Sequence, residues 1–509
     1  MKKKILAIMM AALSVLTAGL YGCSEKEGAI PAPPDYSDST KQFEFYGYSS
    51  VIDGWNIDGV AYDVEEDYLS VDRIKEYKDV GMSIYFPQSA APVTASTVQD
   101  FENSAAKRAL DYSLEAGINK VILMDTRIQA LSKPAKENAV GLIGEGKQFA
   151  SEEELDATIA EYMAPYKDHP AFYGVMLGDE PFYYHVENYG QVYRSIKRVC
   201  PDAFIQYNLN PITAGTDPIV INERFPALED GEGEGLDKTG VLIRRYEKYL
   251  TQFIEATGTD YIQYDHYPLT QEDKIQEHYF LGLQVVARLA KDLGLNFYFV
   301  SQTYIQTDRG PNPRDLSQED LYWLQNSLLG FGVKQISYFT YFTKADNNAE
   351  HFVDGQSFIT WEGEKTDIYY WMQQIMAEEQ KFAPVLLSFE YNTSKIYIEA
   401  PTTYDSSHVL LALETPDFTA VTNVDVNKEC ALVTELYDED KKNYLYMVQN
   451  IVDPLDKGSK SFQTTVLTFD KQYKYAAIYV KGERTLARLE EGTLTLKHKP
   501  GEATFVLPY

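Results

Sequence analysis

The feature that most constrains this chain is an alternation. Between Phe43 and about Ala377, short runs rich in β-branched and aromatic residues are separated by longer stretches of helical periodicity. That is the pattern of successive parallel βα units. Candidate strands fall at 44–48, 82–86, 120–125, 172–178, 203–208, 261–265, 296–301 and 335–341, with helical patterns such as 71–80, 105–116, 152–166 and 276–293 between them. Gly81, Gly117 and Gly294 stand just past three of these helices, where a left-handed cap is wanted. Eight strand–helix repeats predict a (β/α)8 TIM barrel, a fold of roughly 250 residues that lengthens with insertions. A doubly wound sheet competes, but no Gly-x-Gly-x-x-Gly follows the first strand. After Lys381 the runs at 395–399, 444–450, 461–469 and 475–480 alternate or are β-branched, with Asp, Asn, Gly and Lys turns between them. They predict a C-terminal antiparallel β-sandwich, with Pro384 near the junction.

The chain opens Met1-Lys2-Lys3-Lys4, followed by an uncharged apolar run from Ile5 to Leu20, too short at 16 residues for a comfortable membrane span. It ends in Leu20-Tyr21-Gly22-Cys23, which resembles the bacterial lipoprotein signal. The resemblance implies cleavage before Cys23 and a lipid on that cysteine, although Tyr21 is bulkier than the small residue usual there. An ordinary secretory peptide is the alternative. The expected organisation is a leader at 1–22, a flexible Pro-containing tether at 23–42, a barrel at 43–381 and a sandwich at 382–509. Cys200 and Cys430 fall in different predicted domains, so no disulfide framework is expected. The expected location is extracytoplasmic, membrane-anchored at the cell envelope.

Charge narrows the partners. Lys and Arg number 46 against 76 Asp and Glu, a net −30 that becomes −33 when the leader's three lysines are lost. Such a surface repels phosphate backbones, so nucleic acid is a poor partner. The 40 Tyr suit sites that stack on flat faces and hydrogen-bond at the rim, although most serve core and sheet.

Active sites of such barrels lie at the C-terminal ends of the strands. The fourth strand leads through Gly174-Val175-Met176-Leu177-Gly178 into Asp179-Glu180-Pro181. A period of two puts Gly174, Met176, Gly178 and Glu180 on the inward face and aims Glu180 at the mouth. The sixth strand ends with Gln263, Asp265 and Tyr267 on one face, which makes Asp265 the second carboxylate candidate. It would activate water or tune Glu180, since two close carboxylates cannot both ionise cheaply. A structural role, or acceptance of a sugar hydroxyl, is the alternative for Asp265. His266 has the opposite phase and reads as a packed histidine. Gln206, Asn208 and Asn210 share a face of the fifth strand, and inward amides suit sugar hydroxyls. Asp125, Arg127, Tyr48, Trp55, Gln302, Tyr304, Tyr338 and Tyr341 stand at or near other strand ends, Tyr267 beside Asp265.

His-Pro-Ala at 169–171, Gly174 and then Asp179-Glu180-Pro181 resemble the fourth strand of clan-A-like TIM-barrel glycoside hydrolases. Lys365 to Trp371 resembles the opening of their last barrel helix, and Pro500-Gly501-Glu502-Ala503 the closing strand of their appended sandwich. The resemblance implies hydrolysis of glycosidic bonds in an oligo- or polysaccharide, with Glu180 as general acid/base and Asp179 among the substrate-binding residues. The chain departs from the pattern at strand seven, where Ser301-Gln302-Thr303-Tyr304 carries no carboxylate. That departure keeps open a non-catalytic surface glycan-binding lipoprotein on a degenerate barrel, and a structural envelope lipoprotein. No His-x-x-x-His, Cys-x-x-Cys, Gly-x-Ser-x-Gly or Walker pattern occurs, so no metal or other cofactor is expected. The polar run Asp346, Asn347, Asn348 and Glu350 reads as a solvated loop.

Overall fold

The computed structural model describes residues 29–509 except 51–55, 58–59, 62–67, 217–219, 272–273, 276–277, 305–313, 344–355, 361–362, 399–412, 414, 428–429 and 456–462. Cys23, Trp55 and the run Asp346–Glu350 lie outside the described residues.

Backbone pairing closes a ring. Glu44–Gly47 lies parallel to Gln335–Phe339, which lies parallel to Asn296–Gln302, which in turn pairs with Tyr261–Asp265. A second parallel run joins Val121–Leu123, Phe172–Asp179 and Phe204–Asn208. Two seams join the runs. Leu209 N–H donates to the Gln263 carbonyl at 3.0 Å on one side. On the other, Tyr85 N–H donates to Lys120 at 2.8 Å and Ser83 N–H to Phe45 at 2.9 Å. The result is a (β/α)8 barrel followed by antiparallel sheets. One expectation needs correcting: 82–86 fills its place in the ring without a regular ladder. Ser83 and Ile84 N–H both reach the single carbonyl of Phe45, and Pro87 brings no donor at the end.

Helices such as Val71–Asp79, Ala105–Ala116, Glu152–Met163 and Tyr279–Leu293 follow strands around the ring. Ser70 and Ser104 accept at two of their N-termini, and Gly117 and Gly294 end two of them in the left-handed conformation. The expected helix 276–293 starts at Tyr279, behind a left-handed His278. The lumen is packed by Tyr46, Tyr48, Ile84, Phe86, Ile122, Met176 and Val300. Val175 and Leu177 point instead into the core shared with the helices. No helix among the described residues is long and apolar enough to cross a membrane.

The last helix, Asp367–Leu386, passes through both Lys381 and Pro384, so the change to antiparallel strands falls after Leu386 rather than at 381. A six-stranded sheet running from Glu390–Ile398 to Glu483–Arg488 faces a three-stranded sheet of Val421–Asn427, Gln463–Phe469 and Thr493–His498. Val433, Tyr446, Val448, Leu467, Phe469 and Val506 fill the space between them. The expected flexible tether is held from Pro31 onward. Tyr36 is buried on Phe389 and donates to Asp438 at 2.6 Å, and Tyr509 reaches the Pro31 carbonyl at 2.9 Å.

Barrel and sandwich are welded by buried polar contacts. Trp323 Nε1 donates to Ile451 O at 3.1 Å, and Arg314 grips Asp453 through Nη1 at 2.7 Å and Nη2 at 2.5 Å while also bonding Asp320. Arg314 and Asp320 are fully buried. Arg314→Met would leave two buried carboxylates without their cation. It should cost about 3–5 kcal/mol of stability, read from the denaturant midpoint. An unchanged midpoint would show that the triad is dispensable.

Candidate active site

The fourth strand reaches the mouth through two glycines placed by close approach. A Cβ on Gly174 would lie 2.0 Å from the Phe204 carbonyl oxygen of the neighbouring strand. Beyond it the register shifts: Met176 pairs with Gln206, but Gly178 pairs with Tyr207 and Asp179 with Asn208. One extra residue in the fourth strand is a β-bulge, and it reverses the facing of every residue after it. The inward phase expected for Gly178 and Glu180 therefore passes to Asp179, whose Oδ1 accepts from Asn208 Nδ2 at 3.0 Å. Gly178 faces the helices, where a Cβ would stand 2.0 Å from the Tyr189 hydroxyl.

Glu180 sits at the turn with φ +43°, its N–H held by the Asn208 carbonyl at 2.8 Å. Its carboxylate swings to Arg224, whose Nη1 lies 3.0 Å from Oε2. The same nitrogen donates to Asn210 Oδ1 at 2.6 Å, and the guanidinium covers the Phe182 ring at 4.7 Å. Asn210 spends its Nδ2 on the Pro181 carbonyl at 2.8 Å and on Tyr249. It is fully buried and holds the Glu180 turn rather than facing a ligand.

Asp265 ends the sixth strand, 7% exposed, with Oδ1 unpartnered among the described residues. Burial pushes its carboxyl well above the usual carboxylate range, and the charges of Glu180 and Asp179 push the same way. Hydrogen bonds from Asn208 and Tyr267 oppose the shift. Glu180, with about a third of its side chain exposed (34%), is also raised, by burial first and Asp179 second, against Arg224 and Lys133. Three carboxylates from two strand ends thus act on one another. Beneath them Tyr48 is locked into the floor by Gln206 and, at 3.5 Å, by Gln263, while Tyr46 donates to Gln263 Oε1 at 3.2 Å. Tyr267 stacks on Phe339 at 5.5 Å and Tyr304 meets the same ring edge-on.

Other expected site residues are taken up elsewhere. Asp125 caps the helix Thr126–Ser132, pairs with Arg127 at 2.6 Å and accepts from Tyr166 at 3.0 Å. Arg127 is spent on that carboxylate, on the Tyr162 carbonyl and on the Tyr162 ring at 4.5 Å. The Gln302 amide is engaged by the backbone of Leu269 and Tyr304, and Tyr341 is packed beside Tyr77 and Phe358. Tyr338 turns outward and accepts from Gln325 at 2.8 Å. His266 is buried, its ring edge-on to Tyr279. Sequence reasoning missed Arg224, Phe182 and Lys133, whose Nζ reaches the Asp179 carbonyl at 2.5 Å. Arg224 lies in the four-residue helix Ile221–Arg224, where no motif marks it.

No family model matches the sequence, and no curated protein is similar to it at the sequence level. Among solved structures, the chain is similar to a family 27 β-L-arabinopyranosidase from Geobacillus stearothermophilus, at 10% identity over 93% of this chain and 97% of that one, with a TM-score of 0.47. It is similar to a family 39 glycoside hydrolase from the gut symbiont Bacteroides cellulosilyticus WH2, at 9% identity over 94% and 83%, TM-score 0.43. A family 5 glycoside hydrolase from Bacteroides vulgatus gives 12% identity over 92% and 88%, TM-score 0.42. Likeness of this degree assigns no activity.

A carboxyl raised in the folded state contributes stability that is fully present below its unfolded pKa and is lost as pH rises through its folded value. Asp265 therefore costs the fold stability at neutral pH and not in acid. Asp265→Asn should raise Tm by about 1–2 °C near pH 7.5 and leave it unchanged near pH 4. A Tm that falls at neutral pH would show that the carboxylate is stabilised where it stands.

Proposed function

We propose that the chain is a glycoside hydrolase of the cell envelope, acting on a glycosidic bond of an oligo- or polysaccharide, with Glu180 as general acid and Asp265 as the second carboxylate. The observation that carries the reading is the convergence of Asp179, Glu180 and Asp265 at the mouth, where burial and mutual repulsion raise Glu180 and Asp265 together. Such a cluster retains a proton above the usual carboxylate range and so contains an acid at working pH. Glu180 is the more exposed of the raised pair, and Arg224 engages only its Oε2, leaving Oε1 for a leaving-group oxygen. Once the proton departs, the guanidinium stabilises the carboxylate that remains. Asp265 is deeper, and the hydrogen bonds from Asn208 and Tyr267 favour its ionised form, the form in which it activates water or attacks carbon.

A second reading, a non-catalytic glycan-binding lipoprotein, is favoured by the seventh strand. Gln302 stands where that strand ends, with its amide committed to backbone. A glycan-panel hydrolysis screen of the chain without its leader, run beside a binding array, separates the two. Glu180→Gln keeps the shape and removes the proton, so kcat should fall by about 10²–10⁴-fold while binding survives. The loss should shrink for activated leaving groups, and the alkaline limb of the pH profile should disappear. Binding across the panel with no turnover would replace the hydrolase with the binder.

The envelope location is proposed from the leader, with Cys23 as the lipidated residue anchoring the protein in the membrane. Cys23→Ala should move the protein from the membrane fraction to the soluble exported fraction. A mutant that stays with the membrane would refute the lipid anchor.

A further inference from the structure

The deep wall of the mouth is rich in acceptors and poor in donors. Asn208 is 3% exposed and gives Nδ2 to the Asp179 carboxylate at 3.0 Å. A carboxylate accepts only, so the orientation of the Asn208 amide is settled and Oδ1 is the acceptor left over. That oxygen has no partner among the described residues, and neither has Asp265 Oδ1 or Gln206 Oε1. Buried acceptors without donors cost free energy until something supplies the hydrogens. Nearby donors are committed: Tyr267 to Asp265, Arg224 to Glu180 and Asn210, and Gln263 Nε2 to the Tyr207 carbonyl at 2.9 Å.

A neutral hydroxyl fits such a wall badly. It donates once and then needs donors for its own lone pairs, whereas an ammonium donates three times and accepts nothing. An ammonium also brings a positive charge to a mouth where three carboxylates outnumber the two cations already near them, Arg224 and Lys133, and the partly buried setting strengthens the attraction.

We propose that the sugar seated in the mouth is an amino sugar with a free, protonated amine, held by Asn208 Oδ1, Asp265 and Asp179. The inference rests on the mouth being a carbohydrate site and names the class of sugar it takes.

Calorimetric titration of the full chain with glucosamine, galactosamine and mannosamine, each beside its neutral parent and its N-acetyl derivative, tests it. At least one amino sugar should bind about tenfold tighter than both of its comparators, or more. Asp265→Asn, which keeps the shape and removes the ionisable carboxyl that would pair with the ammonium, should reduce that preference to about twofold or less. Asn208→Ala removes the acceptor on the other side and should also weaken the preference, which covers a misfolded Asp265 variant. Equal binding of a neutral or N-acetylated sugar, a preference that survives both substitutions, or no binding by any of these sugars would overturn the inference. Cleavage followed in parallel separates it from the hydrolase reading. Neutral glycans cut without amino-sugar preference would leave the hydrolase and remove this inference. A preference that depends on Asp265, without any cleavage, would do the reverse.

Discussion

At Leu177 the fourth strand carries one residue more than the strand beside it, and the facing of everything after it follows from that insertion. A bulge is tolerated here because Gly178 presents no Cβ to the Tyr189 hydroxyl on the helix behind. With the phase reversed, Asp179 enters the mouth and bonds Asn208, and Glu180 lands on the turn, where its N–H is held by the Asn208 carbonyl. Arg224 then finds Glu180 and Asn210 together. An alternating strand would have sent Asp179 into the helices and left Asn208 without its partner.

The mouth that results is expensive for the fold. Asp265 is buried with other carboxylates near it, and the hydrogen bonds from Asn208 and Tyr267 only partly offset that cost. Stability comes from elsewhere. Aromatic packing fills the lumen, and Arg314 with Asp320 and Asp453 joins a barrel helix to the sandwich in a buried ion cluster bonded through both terminal guanidinium nitrogens. A rigid frame of this kind lets a few groups at the strand ends be held in an unfavourable electrostatic state, the condition under which side chains are poised for acid–base chemistry.

Legibility from sequence was uneven for physical reasons. Strand positions were clear because hydrophobic periodicity and glycine caps are local: Tyr261–Asp265 and Ala105–Ala116 have the predicted bounds. The segment 82–86 was legible as a place in the ring but not as an irregular one, since two donors sharing the Phe45 carbonyl is a property of the pairing. Asp125 and Gln302 looked like mouth residues because they end strands. Their side chains were already claimed by Arg127 and by the backbone of Leu269, which no spacing reveals. Arg224 was invisible because its importance lies in a contact across 44 residues of sequence.

The sequence by itself determined the order of strands and helices, the antiparallel C-terminal part, the acidic surface and the strand ends that bear Asp179, Glu180 and Asp265. These follow from side-chain periodicity, turn chemistry and charge, which act over a few residues. Only the tertiary structure decided which of these carboxylates faces inward, which cation meets Glu180 and which acceptors remain unpaired. Those outcomes depend on register between strands and on burial, and both are set when the ring closes and distant segments exclude water from the same small volume.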